Sequence, residues 1–338
     1  MPETWRYAYV SVRKIAYRIL EKTPAVVIVA VEGALMYFAT GMAKTVFTQI
    51  DPLCAAWYRF GFLAIMMLAW RRPWRAAVRR TLPHTRREWA VTAGCGLAIV
   101  AMNTMFYLAI SELNMGMAVA MEFVGPLGVA LITGRNWRER IGVGIAAAGV
   151  TLLAGMSLTS PDGGRPAIGI VAILIGGTMW GVYIVMGRKV AHTGSPLDRL
   201  SVALCIGFAA QSLFLAIPAV KGLFVPSKTA TWLASEGGWG IVHLLSLMLV
   251  VSVCSSFFPY VIDQVVMRKT TSGTFSVMQS MYPAVAVAVG LAFGEIPGIW
   301  ELAGVACVMV AVVITFSDDE RVPRHGRAEL RSSLDTAA

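Results

Sequence analysis

MAVAMEFVGPLGVAL, residues Met117–Leu131, carries one carboxylate, Glu122, in an otherwise apolar run, with Pro126 four residues further on. An ionisable side chain inside a membrane span is costly and marks a protein-lined pathway. Pro126 has no N–H to offer the Glu122 carbonyl, and its ring pushes that carbonyl aside. One turn is therefore expected to present a carboxylate, a freed carbonyl and a kink. The device returns in SGTFSVMQSMYPAVAVAVG (Ser272–Gly290), where Gln279 stands four residues before Pro283. Two polar, proline-kinked helices in corresponding positions point to a centre shared by two halves.

The rest of the chain fits a membrane solvent. Of its 338 residues 57% are hydrophobic and 14% charged, and the mean hydropathy is +0.67. That excludes a water-soluble domain of this length. At about 20 residues per crossing, ten apolar runs are expected: Pro24–Val46, Leu53–Ala69, Trp89–Ala109, Met115–Ile132, Ile141–Met156, Ala167–Met186, Leu200–Ile217, Ile241–Ile262, Ser272–Phe293 and Leu302–Phe316. No period-two alternation is present, so the fold class is all-α and not a membrane barrel.

The net charge of +10 is a topology signal. Twenty-four Lys and Arg fall in the amino-terminal segment, the loops after even-numbered spans and the tail. Only Lys44, Arg165, Lys221 and Lys228 fall on the other side, and Arg59 lies within a span. This asymmetry places both termini in the cytoplasm and argues against nucleic acid as a partner. Residues 1–23, with Trp5, Tyr9, Val12, Ala16 and Ile19 at helical spacing among basic residues, read as a basic amphipathic helix on the cytoplasmic face. A frayed tail is the alternative. The five cysteines sit in or beside apolar runs without paired spacing, which argues against disulfides and metal ligation. No cofactor is expected.

Spans four and five align with spans nine and ten. Gly116, Glu122 and Pro126 match Gly273, Gln279 and Pro283 at one offset. GVGIAAAGV (Gly142–Val150) matches GVACVMVAV (Gly304–Val312) after a short shift, and FYLAI (Phe106–Ile110) matches PYVID (Pro259–Asp263). Two repeats follow, residues 24–156 and 157–316, with a cytoplasmic tail at 317–338. Five spans per half is an odd number, so the halves run oppositely through the membrane and place the substrate near the midplane. Gly290, Gly294 and Gly298 read as small-residue steps for close helix contact. The longest outer loop, Val220–Gly240, is expected to fold partly on the surface.

The polar residues inside the spans are the site candidates. Arg59 lies seven residues past Pro52, roughly 10 Å inward, at a depth similar to Glu122. The two are expected to meet, either as an ion pair that orients helices or as partners for which a substrate competes. Glu122 is the first proton-coupling candidate and Glu32 the second. Lys44 either holds a substrate carboxylate or snorkels to the interface. Asn103, Tyr107, Trp180, Tyr183 and Gln279 lie too deep for an interfacial belt and are pocket candidates. Asp263, close in sequence to Arg268 and Lys269, reads as a solvated or locally paired charge. No enzyme motif is present: no G-x-S-x-G, no phosphate loop, no H-E-x-x-H and no C-x-x-C. A membrane-embedded enzyme or scaffold would need larger loops than these.

The chain resembles the drug/metabolite transporter superfamily in its ten-span EamA-type form, nearest the threonine/homoserine exporter (RhtA-like) branch. AKTVF (Ala43–Phe47), RRPWR (Arg71–Arg75), MNTMFYLAI (Met102–Ile110), GMAVAMEFVGPLGVAL (Gly116–Leu131), WGVYIVMGRKVA (Trp180–Ala191), SGTFSVMQSMYP (Ser272–Pro283) and FGE (Phe293–Glu295) carry the likeness. It departs from the branch at Tyr282, where an acidic residue tends to precede the proline, and at Glu32. The resemblance implies an inner-membrane exporter of small amphipathic amino acids by proton antiport. Its expected partners are the substrate, protons and the bilayer, with homodimerisation left open. An exporter of cationic drugs is the rival within the same class.

Overall fold

In the computed structural model, residues 25–133, 137–159, 165–192, 195–224, 227–269 and 279–316 are described. The expected amino-terminal helix, the cytoplasmic tail and residues 272–278 of the expected ninth span lie outside them. All regular structure among the described residues is helical. Among these residues six helices are long and apolar enough to cross a membrane, and four shorter apolar helices accompany them.

The chain order is α1 (Ala25–Lys44), α2 (Pro52–Arg71), α3 (Arg86–Glu112), α4 (Met115–Glu122), α5 (Val124–Thr133), α6 (Trp137–Thr159), α7 (Pro166–Ala191) and α8 (Pro196–Phe224). Then follow α9 (Lys228–Ser235), α10 (Gly240–Ser252), a π-helical turn (Val253–Phe257), α11 (Phe258–Lys269), α12 (Tyr282–Ala292) and α13 (Ile299–Phe316). Local chemistry sets several boundaries. Asp51 caps α2 by accepting from the Leu53 and Cys54 amides at 2.9 and 3.3 Å, and Pro52 fills the first turn, where no donor is lost. Thr85 caps α3 by accepting from Glu88 N at 3.2 Å. The Glu88 carboxylate in turn accepts from His84 N at 2.9 Å. Arg72 ends α2 in the left-handed region at φ 51°.

The proline device breaks the fourth span at Phe123, between α4 and α5. Glu122 has no N–H four residues on, because that residue is Pro126. Its carbonyl is accommodated by glycine: a Cβ on Gly177 of α7 would lie 2.5 Å from the Glu122 oxygen. A Cβ on Gly125 would lie 1.7 Å from the Gly177 carbonyl. The two backbones touch there, as small residues permit in membrane helices.

Packing pairs recur with the halves exchanged. α7 packs on α3 and α5, and α1 packs on the α10–α11 helix and α12. Helix α8 packs on α3 as α2 packs on α10, while α2 meets α8 and α6 meets α13. The fold is therefore an all-α membrane architecture of two interleaved five-span halves.

Two readings change, and a third, the partly folded outer loop, holds. The seventh span, expected over Leu200–Ile217, runs as α8 from Pro196 to Phe224, because a membrane helix tolerates the single donor lost at Pro218. The Gly290, Gly294 and Gly298 steps are not a helical stripe. α12 ends at Ala292, Gly294 takes φ +85° in the turn, and nothing lies within 4 Å of a Cβ on Gly298. The loop after α8 folds in part, as α9, whose Thr229 hydroxyl donates to the Gln49 carbonyl at 2.9 Å.

Candidate functional site

A cavity of about 70 Å³ lies between the halves, room for several waters. Arg59 of α2 projects into it and is 2% exposed. Its Nε donates to Ser256 Oγ at 2.6 Å, and its Nη2 donates to Asn103 Oδ1 at 2.7 Å and to the Ser255 carbonyl at 3.3 Å. The Ser255 carbonyl is free for this role because Pro259, four residues on, has no N–H. The backbone answers with the π turn, in which Phe258 N reaches back to Val253 O. Asn103 is held by its own Nδ2, which donates to the Ile99 carbonyl at 2.8 Å and to the Tyr260 hydroxyl. Tyr107 closes the back, with the guanidinium carbon 4.9 Å from its ring centre, a cation–π distance.

Three carboxyl groups share the cavity with this one guanidinium: Glu32 of α1, Glu122 at the end of α4 and Asp263 of α11. All are buried. Asp263 accepts from the Tyr183 hydroxyl and from Gln279 Nε2, each at 3.4 Å. Oε1 of Glu32 and Oε1 of Gln279 are buried without a hydrogen-bond partner among the described residues. Arg59 and Glu122 form no ion pair within 4.0 Å, although they share the cavity. An ionised group buried this way needs a proton or a counter-charge. Fully ionised, the site would set three negative charges against one positive one. Aromatic rings make up much of the remaining wall, with Tyr37 edge-on to Tyr282 at 5.7 Å and Trp180 backed edge-on by Phe123 at 4.8 Å.

Of the residues singled out in the sequence, Glu32, Arg59, Asn103, Glu122, Trp180, Tyr183 and Gln279 line this cavity together. Tyr107 and Lys44 do not. Tyr107 lies fully buried behind Arg59. Lys44 ends α1, donates to the Leu113 carbonyl at 2.9 Å and pairs with Glu295, whose other oxygen accepts from Met115 N at 2.7 Å. Pro126 and Pro283 both fall in the first turn of the helix that follows a break. Asp263, expected to be solvated or locally paired, is only 8% exposed and faces the cavity. The π turn adds a residue to one helical turn, which rotates the face that follows by about 100°. Applying the proline rule to Ser255–Pro259, as to Glu122 and Gln279, would have found it.

The EamA-like transporter family matches residues 24–160 and 167–317. The threonine/homoserine exporter RhtA of Salmonella typhimurium is 30% identical over 276 residues, 80% of this chain and 83% of its own length. Its counterpart from Escherichia coli K12 is 27% identical over 281 residues, 81% and 85% of the two chains. An uncharacterized transporter of Bacillus subtilis, YyaM, is 22% identical over 306 residues, 85% and 92%. One protein crystal structure superposes with a TM-score of 0.54 over 88% of this chain and 98% of its own, at 15% identity, and supports the fold alone.

Proposed function

This chain belongs to the EamA-like transporter family, and from that premise we propose that it exports small amino acids of the threonine/homoserine kind by proton antiport. The observation that carries the reading is the pairing of a rigidly held Arg59 with an unpaired Glu122 on one cavity between the halves. Arg59 Nε and Nη2 are occupied by Ser256, Asn103 and Ser255, and Nη1 donates to no described residue. It is left for a substrate carboxylate, which a guanidinium binds well. Glu122, with no fixed cation, exchanges a proton as the halves, residues 24–156 and 157–316, rock about the site.

One proton inward for one neutral zwitterion outward moves net charge. Each 100 mV then contributes about 2.3 kcal/mol, or roughly a fifty-fold gradient. The names of the RhtA relatives support the substrate class. The test is proton flux in proteoliposomes across a metabolite panel. Threonine and homoserine are expected to drive it, whereas flux driven only by lipophilic cations would replace this reading with drug export. The excess of carboxyls over cations in the cavity is the observation that favours that rival. The charge asymmetry further orients the protein, with a reporter after Ala338 or within residues 71–87 in the cytoplasm and one within Val220–Gly240 outside.

A further inference from the structure

We propose that Glu32, Asp263 and Gln279 form a subsite for a primary ammonium group, on the same cavity as Arg59. The proposal rests on the amino-acid reading above and adds to it how the substrate is held: carboxylate at Arg59, amine at this acidic subsite. Three observations converge. Glu32 Oε1 and Gln279 Oε1 are buried acceptors with no donor among the described residues, and both residues line the cavity. Their residues are 4% and 3% exposed. The Gln279 amide is fixed in orientation, because Nε2 donates to Asp263 Oδ1 and a carboxylate cannot donate back. Its oxygen is therefore the end left for a ligand.

An unpartnered buried acceptor costs free energy until a donor arrives. Two such acceptors and the adjoining Asp263 carboxylate make three, and an ammonium brings three N–H donors and no acceptor. A shared proton would satisfy one of the three. No group of three His, Cys, Asp or Glu that would hold a metal ion occurs among the described residues. The hydroxyls and rings of Tyr37, Tyr183 and Tyr282 complete a wall suited to a cation. Tyr183 also fixes Asp263, donating to Oδ2 at 3.4 Å. Arg59 donates to Asn103, Ser255 and Ser256 and forms no hydrogen bond with Glu32, Asp263 or Gln279, so the direct partners of these acceptors are left to a ligand.

The experiment measures competition against labelled threonine and direct binding of n-butylamine in reconstituted protein. The ligands compared on the wild type are threonine, N-acetylthreonine and threoninol. Acetylation is expected to cost at least about tenfold in affinity, since it removes the positive charge and leaves one N–H of the ammonium's three, and a site built for those donors rejects such an analogue. Glu32→Gln and Asp263→Asn should each raise the threonine KM about tenfold and leave inhibition by N-acetylthreonine unchanged. Equal binding of threonine and N-acetylthreonine by the wild type overturns the subsite even if neither variant folds. Variants with an unaltered KM but a changed number of protons per substrate would assign the pair to proton transfer and also overturn it. If the wild type transports no amino acid, the exporter reading fails. n-Butylamine binding, lost in Glu32→Gln and Asp263→Asn, then still decides the subsite.

Discussion

The broken helix of the first half and that of the second share a backbone device and differ in one functional group. In each, a polar residue stands four positions before a proline, and the helix restarts around that proline. The first half presents a carboxyl, Glu122, and the second an amide, Gln279; both face the same cavity. A freed carbonyl and a break before the following helix come with the proline and are common to both. What differs is that a carboxyl can carry a proton and an amide cannot. The repeat thus builds a symmetric frame, and a single-atom difference within it makes the cavity directional in chemistry. The same asymmetry extends outward: Arg59, Glu32 and Asp263 enrich the cavity with charges that no repeat demands.

The most severe way to break the comparison is to make the two helices alike. Glu122→Gln imitates permanent protonation and preserves volume. It is expected to abolish proton-driven accumulation, a loss of up to roughly fifty-fold in gradient per 100 mV, together with the pH dependence of export. Passive exchange of threonine should survive, with near-normal expression. Wild-type rate and pH profile in this variant would reduce Glu122 to a packing residue and move attention to Glu32.

Arg59→Met attacks the positive side and is expected to have the next largest effect. It removes the carboxylate partner and also strands Asn103 Oδ1, Ser256 Oγ and the Ser255 carbonyl, each at about 1–3 kcal/mol when buried and unsatisfied. Threonine export should fall to background, and the thermal midpoint in detergent should drop. Arg59→Lys is not expected to rescue it, because one ammonium cannot reproduce the planar fork that reaches three acceptors. Threonine transport at the wild-type KM in Arg59→Met would remove the carboxylate role.

Much of this is legible in the sequence alone. Hydropathy and the Lys/Arg asymmetry gave the spans, because a bilayer imposes length and charge rules on sequence. Glu122, Arg59, Asn103 and Gln279 stood out because a polar residue in an apolar run has few physical reasons to be there. In sequence Asp263 reads as part of a solvated end, because Arg268 and Lys269 are close by, yet it is buried. Its burial depends on a π turn, and that in turn on Pro259. Lys44 and Tyr107 were placed at plausible depths, yet depth along a helix does not fix rotation about it. One points to Glu295 and the other lies behind Arg59.

The frame itself can be tested apart from the charges. Gly125 and Gly128 sit in the same helix, but a Cβ on Gly125 would lie 1.7 Å from the Gly177 carbonyl, whereas nothing lies within 4 Å of one on Gly128. Gly125→Ala must therefore part α5 from α7, at about 1–3 kcal/mol or more, and should lower the thermal midpoint and impair export. Gly128→Ala should be neutral or stabilising by up to about 1 kcal/mol from helix propensity. Equal effects of the two substitutions would contradict the backbone contact that seats the broken helix.

The smallest effect is expected at the end of the molecule, where the halves are joined by a charge pair and not by the cavity. Lys44 of α1 pairs with Glu295, which follows α12, and their side chains are 26% and 15% exposed. A partly exposed pair is worth about 0–1 kcal/mol. The contact spans the two halves, and Glu295 also receives the Met115 amide at the start of α4. Lys44→Met is therefore expected to leave the threonine KM unchanged and to alter the transport rate by no more than about fivefold, the factor for 1 kcal/mol. Glu295→Gln should shift the rate in the same direction, and the double substitution should add little, since both remove one interaction. A rise in KM on Lys44→Met that matched Arg59→Met would return Lys44 to the substrate site. It would also show that the cavity seen here is only part of the path the substrate takes.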